Sequence, residues 1–499
     1  MGRAEVLCRS AALALVAALV RVEGACARVA LGLALGYVAC LLAQNFRRRG
    51  EPPVAWSWTP FLGSAIVFGK RPREWLLARR AELGDTFVAV IAGERTAFVV
   101  DADAWPKVLR EPASRLEFRS TGMDVTEAAF GVQRADVADA FADAVDAQAH
   151  AQFVRCLQGR EPLARLTAAA AAALEAGLAD IPAEAPLFAS LAEPLFLATM
   201  AALTGADSSF ATAACHADFK AFDAAFGFLA GGAPAAAFGA AVAARDRVAD
   251  RYRTDANYDA ADGRVCDLLR ERKALFGECE AESDRSWDPR SHGRIQTTMV
   301  WAAAANTIPA ALWTAYWLAR DAKARARVVA EIDAAGPDVA AALRRSENPY
   351  PVLDAAVSEA LRLATASLTV RRVVVDGYAL PASDLKLRRR DRVAIFPPLL
   401  HMDAARVGAA PDAFNVDRYL DDPDTPLMPF GGGISKCPGR IFARREIKAC
   451  LAVLLRRYDV RLVDAAAPVP ESDPTRVGLG VVGPKPGVDV AAAFTPRAA

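Results

Sequence analysis

The sequence has almost no charge to spare: 60 Lys and Arg stand against 59 Asp and Glu, a formal net charge of +1. Nothing global therefore directs it towards nucleic acid or an acidic partner. It also lacks any Cys-x-x-Cys pair, and its nine cysteines are an odd number. That argues against a disulfide framework and for a reducing compartment. A chain of 499 residues suggests about three domains by length alone. Yet no Pro/Gly/Ser-rich linker or change of composition cuts residues 50 to 499, so we read one large, mainly helical domain over 47–499 behind an N-terminal segment over 1–46. What is abundant is apolar: 54% of residues, enough to bury a large core. Ala-rich runs such as Thr167–Leu174 favour helix and carry no functional reading.

Two apolar stretches open the chain, Ala11–Val20 and Ala25–Ala43. The first is too short to span a bilayer, while the second, broken only by Arg28, approaches the ~20 residues needed. Arg47-Arg48-Arg49 follow at once and by the positive-inside tendency keep the body cytoplasmic. Pro52-Pro53 stop any helix and supply a stiff hinge. The competing reading is a cleaved targeting peptide, with Arg3 and Arg9 ahead of the apolar middle and Ala25-Cys26-Ala27 as a small-residue site.

Farther on, the spacing predicts a helix from Pro72 to Leu83, then a hairpin of Phe87–Ile91 and Thr96–Val100 around Gly93. Phe219, Phe222 and Phe226 recur as a core stripe in a helical region over 161–285, with Phe228 and Phe238 around Gly231-Gly232. A long central helix is expected from Thr297 to Leu318, with small residues on one face that admit a flat ligand. Pro309 cannot donate to the carbonyl of Ala305, so the helix should bend there. The freed carbonyl, beside Asn306 and Thr307, is expected to hold water. Glu359 and Arg362 lie on one helical face.

The most specific stretch is Pro429-Phe430-Gly431-Gly432-Gly433-Ile434-Ser435-Lys436-Cys437-Pro438-Gly439-Arg440. Its glycines allow a tight turn and a close approach to a flat ligand. Pro438 suits the first turn of the helix that follows. Cys437 therefore sits where free N–H groups and the positive helix end favour a thiolate, the state an axial ligand to haem iron needs. A lone cysteine is more often a small buried hydrophobe. The pattern Phe-x-x-Gly-x-x-x-Cys-x-Gly, however, resembles the haem-thiolate signature of the cytochrome P-450 family.

The resemblance extends over nearly the whole chain from about residue 47. It narrows to the branch of sterol 7-alpha-hydroxylases and prostacyclin synthase at Arg49–Pro53, Pro60–Gly63, Ala305–Pro309, Val393–His401 and Leu427–Phe430. It implies a helical prism with a small sheet region, preceded by a membrane-anchor helix. It implies haem b, bound by Cys437 as the iron ligand and by Phe430, Gly431, Gly433, Lys436, Gly439, Ala302, Ala303 and Arg371, the last pairing with a propionate. His150 or Arg155 could meet a propionate too, and Ser435 stands where the family usually has a base.

Two residues take the place where most members carry an acid and then an alcohol, Ala305 and Asn306; either no O–O activation is needed, as in the isomerase of the branch, or Asn306, Thr307 and water form the proton relay, as the hydroxylases of the branch favour, or Asn306 merely caps the bend. Glu359, Arg362 and Arg418 would form a buried scaffold cluster, and His401 is a structural histidine. Arg440, Arg444, Arg445 and Lys448 would present a docking face to a reductase carrying electrons from NADPH. The implied activity is hydroxylation of a sterol or related lipid by a monomer facing the cytosol on the endoplasmic reticulum membrane, organelle targeting remaining open. A reductase-independent lipid-peroxide isomerase and a non-catalytic haem sensor are the alternatives.

Overall fold

Apolar residues at helical spacing dominate, and most of the chain is helical in the computed structural model, which describes residues 3–22, 24–254, 265–346, 348–381 and 383–497. It packs as two compact units, Met1–Thr121 with Leu368–Leu399, and Gly122–Ser367 with Leu400–Ala499. The span expected as one domain from residue 47 is thus shared between two units, and the first also takes in the N-terminal segment.

In the first unit, α1 (Arg3–Arg21) and α2 (Ala25–Asn45) pack together. α2 has a mean hydropathy of 1.9, yet only 11% of that window is buried. A helix so apolar and so exposed suits lipid better than water. Asn45 ends it: its amide donates to the Leu41 and Ser57 carbonyls and accepts the Ser57 N–H at 2.8 Å, folding the next segment back along the helix.

Then come α3 (Pro72–Leu83) and the expected hairpin, β1 (Thr86–Ile91) and β2 (Glu94–Val99). Ala92 and Gly93 both take positive φ, as a two-residue hairpin turn requires. A Cβ on Gly93 would lie 2.5 Å from the Phe61 ring. The hairpin joins a five-stranded sheet with β3 (Leu116–Glu117), β4 (Thr369–Val373) and β5 (Arg392–Ile395), in the order β1-β2-β5-β4-β3. Only the β2–β5 pairing is parallel, Thr96 opposite Arg392.

The second unit is the helical body. Its core gathers α4 (Leu187–Thr204), α5 (Ala213–Ala230), α6 (Ser291–Ala304), α7 (Thr307–Arg320), α8 (Pro351–Ala364) and α9 (Arg440–Arg457). α4 is nearly as apolar as α2 but 67% buried, which makes it a core helix. α7 is buried almost all round and packs against α8 and α9. A three-stranded sheet of Glu184–Pro186, Ala491–Pro496 and Tyr458–Leu462 closes one flank.

The long central helix is two helices. α6 ends at Ala304 and α7 starts at Thr307, with a turn at Ala305-Asn306. The break falls just ahead of Pro309, where the proline ring excludes the carbonyl of residue i−4. Phe219, Phe222 and Phe226 are buried, as a core stripe should be, whereas Phe228 is 47% exposed and stacks on Phe238 at 5.5 Å.

Candidate functional site

Cys437 lies on a turn that two glycines with left-handed backbone, Gly431 and Gly433, make possible. Its N–H donates to the Phe430 carbonyl at 2.9 Å, which closes the loop on itself. Arg440, the first residue of α9, donates to the Cys437 carbonyl at 3.0 Å. Gln158 grips both ends: its amide nitrogen Nε2 donates to the Pro438 carbonyl at 3.0 Å, and its oxygen accepts from Arg440 at 3.1 Å. Sequence spacing could not reveal that clamp, since Gln158 is 280 residues from Pro438.

Burial pushes the Cys437 thiol above its ordinary pKa; the Gly439 and Arg440 N–H groups and the Arg440 charge pull it down without prevailing. The thiolate expected from the helix end is therefore not secured by the protein's own groups, and a cation on the sulfur is what ionises a thiol so placed. Among the described residues no group of three or more His, Cys, Asp and Glu could hold a metal ion. A lone cysteine donor would suit a metal carried in by a group that supplies its other ligands, as haem does. A Cβ on Gly439 would sit in ordinary contact with the Cys437 sulfur, at 3.9 Å.

Ala302 is exposed and Ala303 partly so, although Val300, Ala304 and Ala305 beside them are buried. Ala303, Phe430 and Ile441 pack against one hydrophobic core. Arg371 belongs to the first unit, buried on β4, where it donates to the Leu109 carbonyl at 3.1 Å. Desolvation lowers its pKa, so its surroundings favour an added anion.

Corrections concern the central turn. The carbonyl of Ala305 is not left to water: Arg476 donates to it at 3.1 Å and also binds Asp223 of α5 at 2.6 Å. Asp223 accepts a further bond from the Trp301 indole at 2.8 Å, and Trp301 stacks on Phe226 at 3.8 Å. Asn306 accepts the Val481 N–H at 2.9 Å. Gly480, with a positive φ, passes so close that a Cβ there would sit 2.1 Å from Asn306 Oδ1. Asn306 thereby clamps the C-terminal turn, Arg476–Val482, with one lone pair of its amide oxygen. Thr307 is buried with a hydroxyl that has no hydrogen-bond partner among the described residues.

The scaffold residues do meet. Arg362 grips Glu359 with two bonds, 2.8 and 2.7 Å, and both side chains are wholly buried. Arg418 reaches Glu359 at 3.2 Å. The rest of the Arg362 fork binds the carbonyls of His401, Pro411 and Ala413. His401 accepts the Met428 N–H at 2.8 Å, and burial lowers its pKa to about 3, so it stays neutral. Both arrangements lead directly into the cysteine loop.

The basic residues expected to face a reductase, Arg440, Arg444, Arg445 and Lys448, all border one open cavity, and two of them also pair within the protein. Lys448 is buried and bound to Asp354 at 3.0 Å, and Arg444 binds the same carboxylate at 2.7 Å. Burial alone would raise the pKa of Asp354; the two cations hold it below its usual value. These ion pairs tie α9 to α8, with Lys448 buried and Arg444 half-buried. Arg155, expected near a propionate, is exposed and ion-paired with Glu271, and His150 is exposed. On the outer side of the cysteine loop lies an open cavity of about 1420 Å³, bordered by Phe430–Gly433 and Lys436 and by Arg160, Arg344, Arg345 and Arg445.

Residues 282–490 match the family described as Cytochrome P450. The chain is 28% identical to Cytochrome P450 7A1 of Oryctolagus cuniculus, over 91% of this chain and 96% of the relative. It is 29% identical to Cholesterol 7-alpha-monooxygenase of Cricetulus griseus, over 91% and 96%. It is 26% identical to Prostacyclin synthase of Homo sapiens, over 89% and 94%.

Proposed function

We propose that this chain, which matches the cytochrome P450 family over residues 282–490 and resembles Cholesterol 7-alpha-monooxygenase along most of its length, is a haem-thiolate monooxygenase that hydroxylates a sterol or similar lipid with electrons from NADPH passed on by a reductase. Haem iron, when bound, supplies the activation of O₂ and the oxidation of a C–H bond, thiolate ligation favouring O–O cleavage.

The chain's own part is to hold and to exclude. Cys437 is presented as the ligand by a loop that Gln158, Arg440 and the Glu359–Arg362–Arg418 cluster fix from behind. Ala302 and Ala303 leave room for a flat macrocycle, and Lys436 is a cation for its carboxylates; for Arg371 the same role is what the family resemblance implies. Thr307, with its unengaged hydroxyl, passes protons or holds a water; Asn306 positions the wall. Phe130, Phe222, Phe226 and Trp301 form one aromatic cluster over this end of the unit, an apolar lining suited to a lipid. Electrons enter across the basic outer cavity, whose Arg160, Arg344, Arg345, Lys436 and Arg445 would steer an acidic flavoprotein. α2 holds the chain as a monomer on the endoplasmic reticulum membrane.

The observation that carries the reading is Cys437, half-buried on its glycine loop at the start of a helix. The test is direct. Purified, reduced protein exposed to CO should show the Soret band of a thiolate-ligated haem. With reductase, NADPH and a panel of sterols and oxysterols it should give a hydroxylated lipid. Product from a lipid peroxide without NADPH would favour the isomerase reading, for which the missing acid at Ala305 is the specific argument. No product in either regime would leave haem binding alone.

A further inference from the structure

We propose that the first unit carries a binding site for the anionic headgroups of membrane lipids, built where two basic runs far apart in sequence meet beside the end of α2. The runs are Arg47-Arg48-Arg49 and Lys386 with Arg388-Arg389-Arg390. The Lys386 N–H donates to the Gly50 carbonyl at 2.8 Å, and Arg48 binds Asp391 through both carboxylate oxygens at 2.9 and 3.0 Å. These bonds hold the two segments side by side. Between them lies a cavity of about 300 Å³ whose walls include Arg48, Arg49, Lys386 and Arg388.

Of the three acids bordering that cavity, two are paired with arginines and Asp376 keeps its charge, so the cations outnumber the one free carboxylate. Glu51 is buried and takes the fork of Arg95 at 2.6 Å. Asp391 takes Arg48, and Asp376 accepts the Arg389 N–H at 3.2 Å. Arg49, Lys386, Arg388, Arg389 and Arg390 are exposed, and their side chains have no partner among the described residues. The three arginines stand on a turn of constrained backbone: Arg390 has a positive φ, a conformation a side-chain-bearing residue rarely adopts. Its N–H donates to the Val373 carbonyl and the Arg388 N–H to Asp391, both at 2.8 Å. A fixed display of cations in excess over the single free carboxylate is a site for phosphate or carboxylate groups.

Position selects the lipid as the source. Tyr37 and Gln44 of α2 bond the Trp58 and Thr59 carbonyls, so Trp58 and Phe61, 51% and 66% exposed, lie along the last turns of the helix. Exposed aromatic rings there mark the headgroup level of a bilayer. The basic runs follow within a few residues of that level, inside the reach of the negative surface potential. The inference rests on α2 being a membrane anchor.

The test uses the full chain in nanodiscs of phosphatidylcholine alone or mixed with phosphatidylserine. Phenylglyoxal labelling of Arg388–Arg390 is read by mass spectrometry. Labelling should slow several-fold with phosphatidylserine and recover in high salt. The double variant Arg49→Gln, Lys386→Gln, with its haem absorbance intact, should lose most of that protection. Equal labelling in the two lipids overturns the site while leaving the anchor standing. Protection by inorganic phosphate in neutral discs to the same extent overturns the lipid as ligand. A chain that does not stay with the discs removes the anchor and the proposal with it.

Discussion

Two neighbouring residues, Asn306 and Thr307, look interchangeable as polar groups at a bend, yet they are engaged in opposite ways. Asn306 is committed to the Val481 N–H, and Thr307 is not committed at all. Asn306→Ala should therefore cost about 1–3 kcal/mol of stability, the penalty of stranding a buried donor, and still give coupled turnover. Thr307→Val should leave stability almost unchanged but raise the NADPH consumed per product formed. Thermal unfolding and the NADPH-to-product ratio separate them; an uncoupled Asn306→Ala with a normal Thr307→Val would reverse the assignment.

Glu359 illustrates a different kind of residue, one that no ligand need touch. Glu359→Gln would leave the buried guanidinium of Arg362, and Arg418 beside it, without a counter-charge. Breaking one partner of such a pair costs about 3–5 kcal/mol. The expected outcome is loss of haem retention during purification rather than a changed KM, measured as the ratio of Soret to protein absorbance.

Among elements, the junction of α6 and α7 is the one on which others converge. Pro309 opens it, and the C-terminal turn then closes it twice, through Arg476 on the Ala305 carbonyl and through Val481 on Asn306. Asp223 adds α5 to the same knot. Gly480→Ala would force a Cβ into Asn306, 2.1 Å away. It should loosen the turn and weaken lipid binding several-fold, seen as a smaller spectral shift on titration, while the reduced-CO band persists. Asp223→Asn should shift lipid affinity in the same direction and increase hydrogen exchange along α5. The helices and the hairpin themselves were readable from periodicity, because each is dictated by residues a few positions apart. That the α6–α7 bend would be filled by an arginine instead of water was not, since Arg476 is 171 residues from Ala305.

For the molecule as a whole, two buried titrating groups give stability a measurable pH dependence. Glu446 of α9 is fully buried; desolvation raises its pKa to about 8, against a bond from Thr199 at 2.6 Å. Folded, it keeps its proton up to about pH 8, whereas the unfolded carboxyl releases it near 4.5. Its contribution is therefore whole below pH 4.5, declines steadily as pH rises, and is lost once pH passes the folded value of about 8. His401 works the other way: it stays neutral down to about pH 3 in the fold but protonates near 6.5 when unfolded, so its contribution is whole above 6.5 and shrinks as pH falls. Glu446→Gln should flatten the decline of melting temperature between pH 6.5 and 8 and leave the acid limb untouched. An unchanged slope there would mean that Glu446 is ionised in the fold.

The cysteine loop, the Glu359–Arg362 spacing, the apolar α2 and the hairpin could all be read from the chain because their chemistry is contiguous: a turn needs its own glycines, and a helical pair needs residues three apart. Charge was the weak point. Arg444 and Lys448 recur as an exposed face would, and nothing local says that Asp354 waits for them. Partners brought from distant positions by packing, such as Gln158 on the cysteine loop and Arg476 on the bend, exist only once the core has closed, for burial and not spacing settles whether a polar side chain meets water, a ligand or another part of the protein.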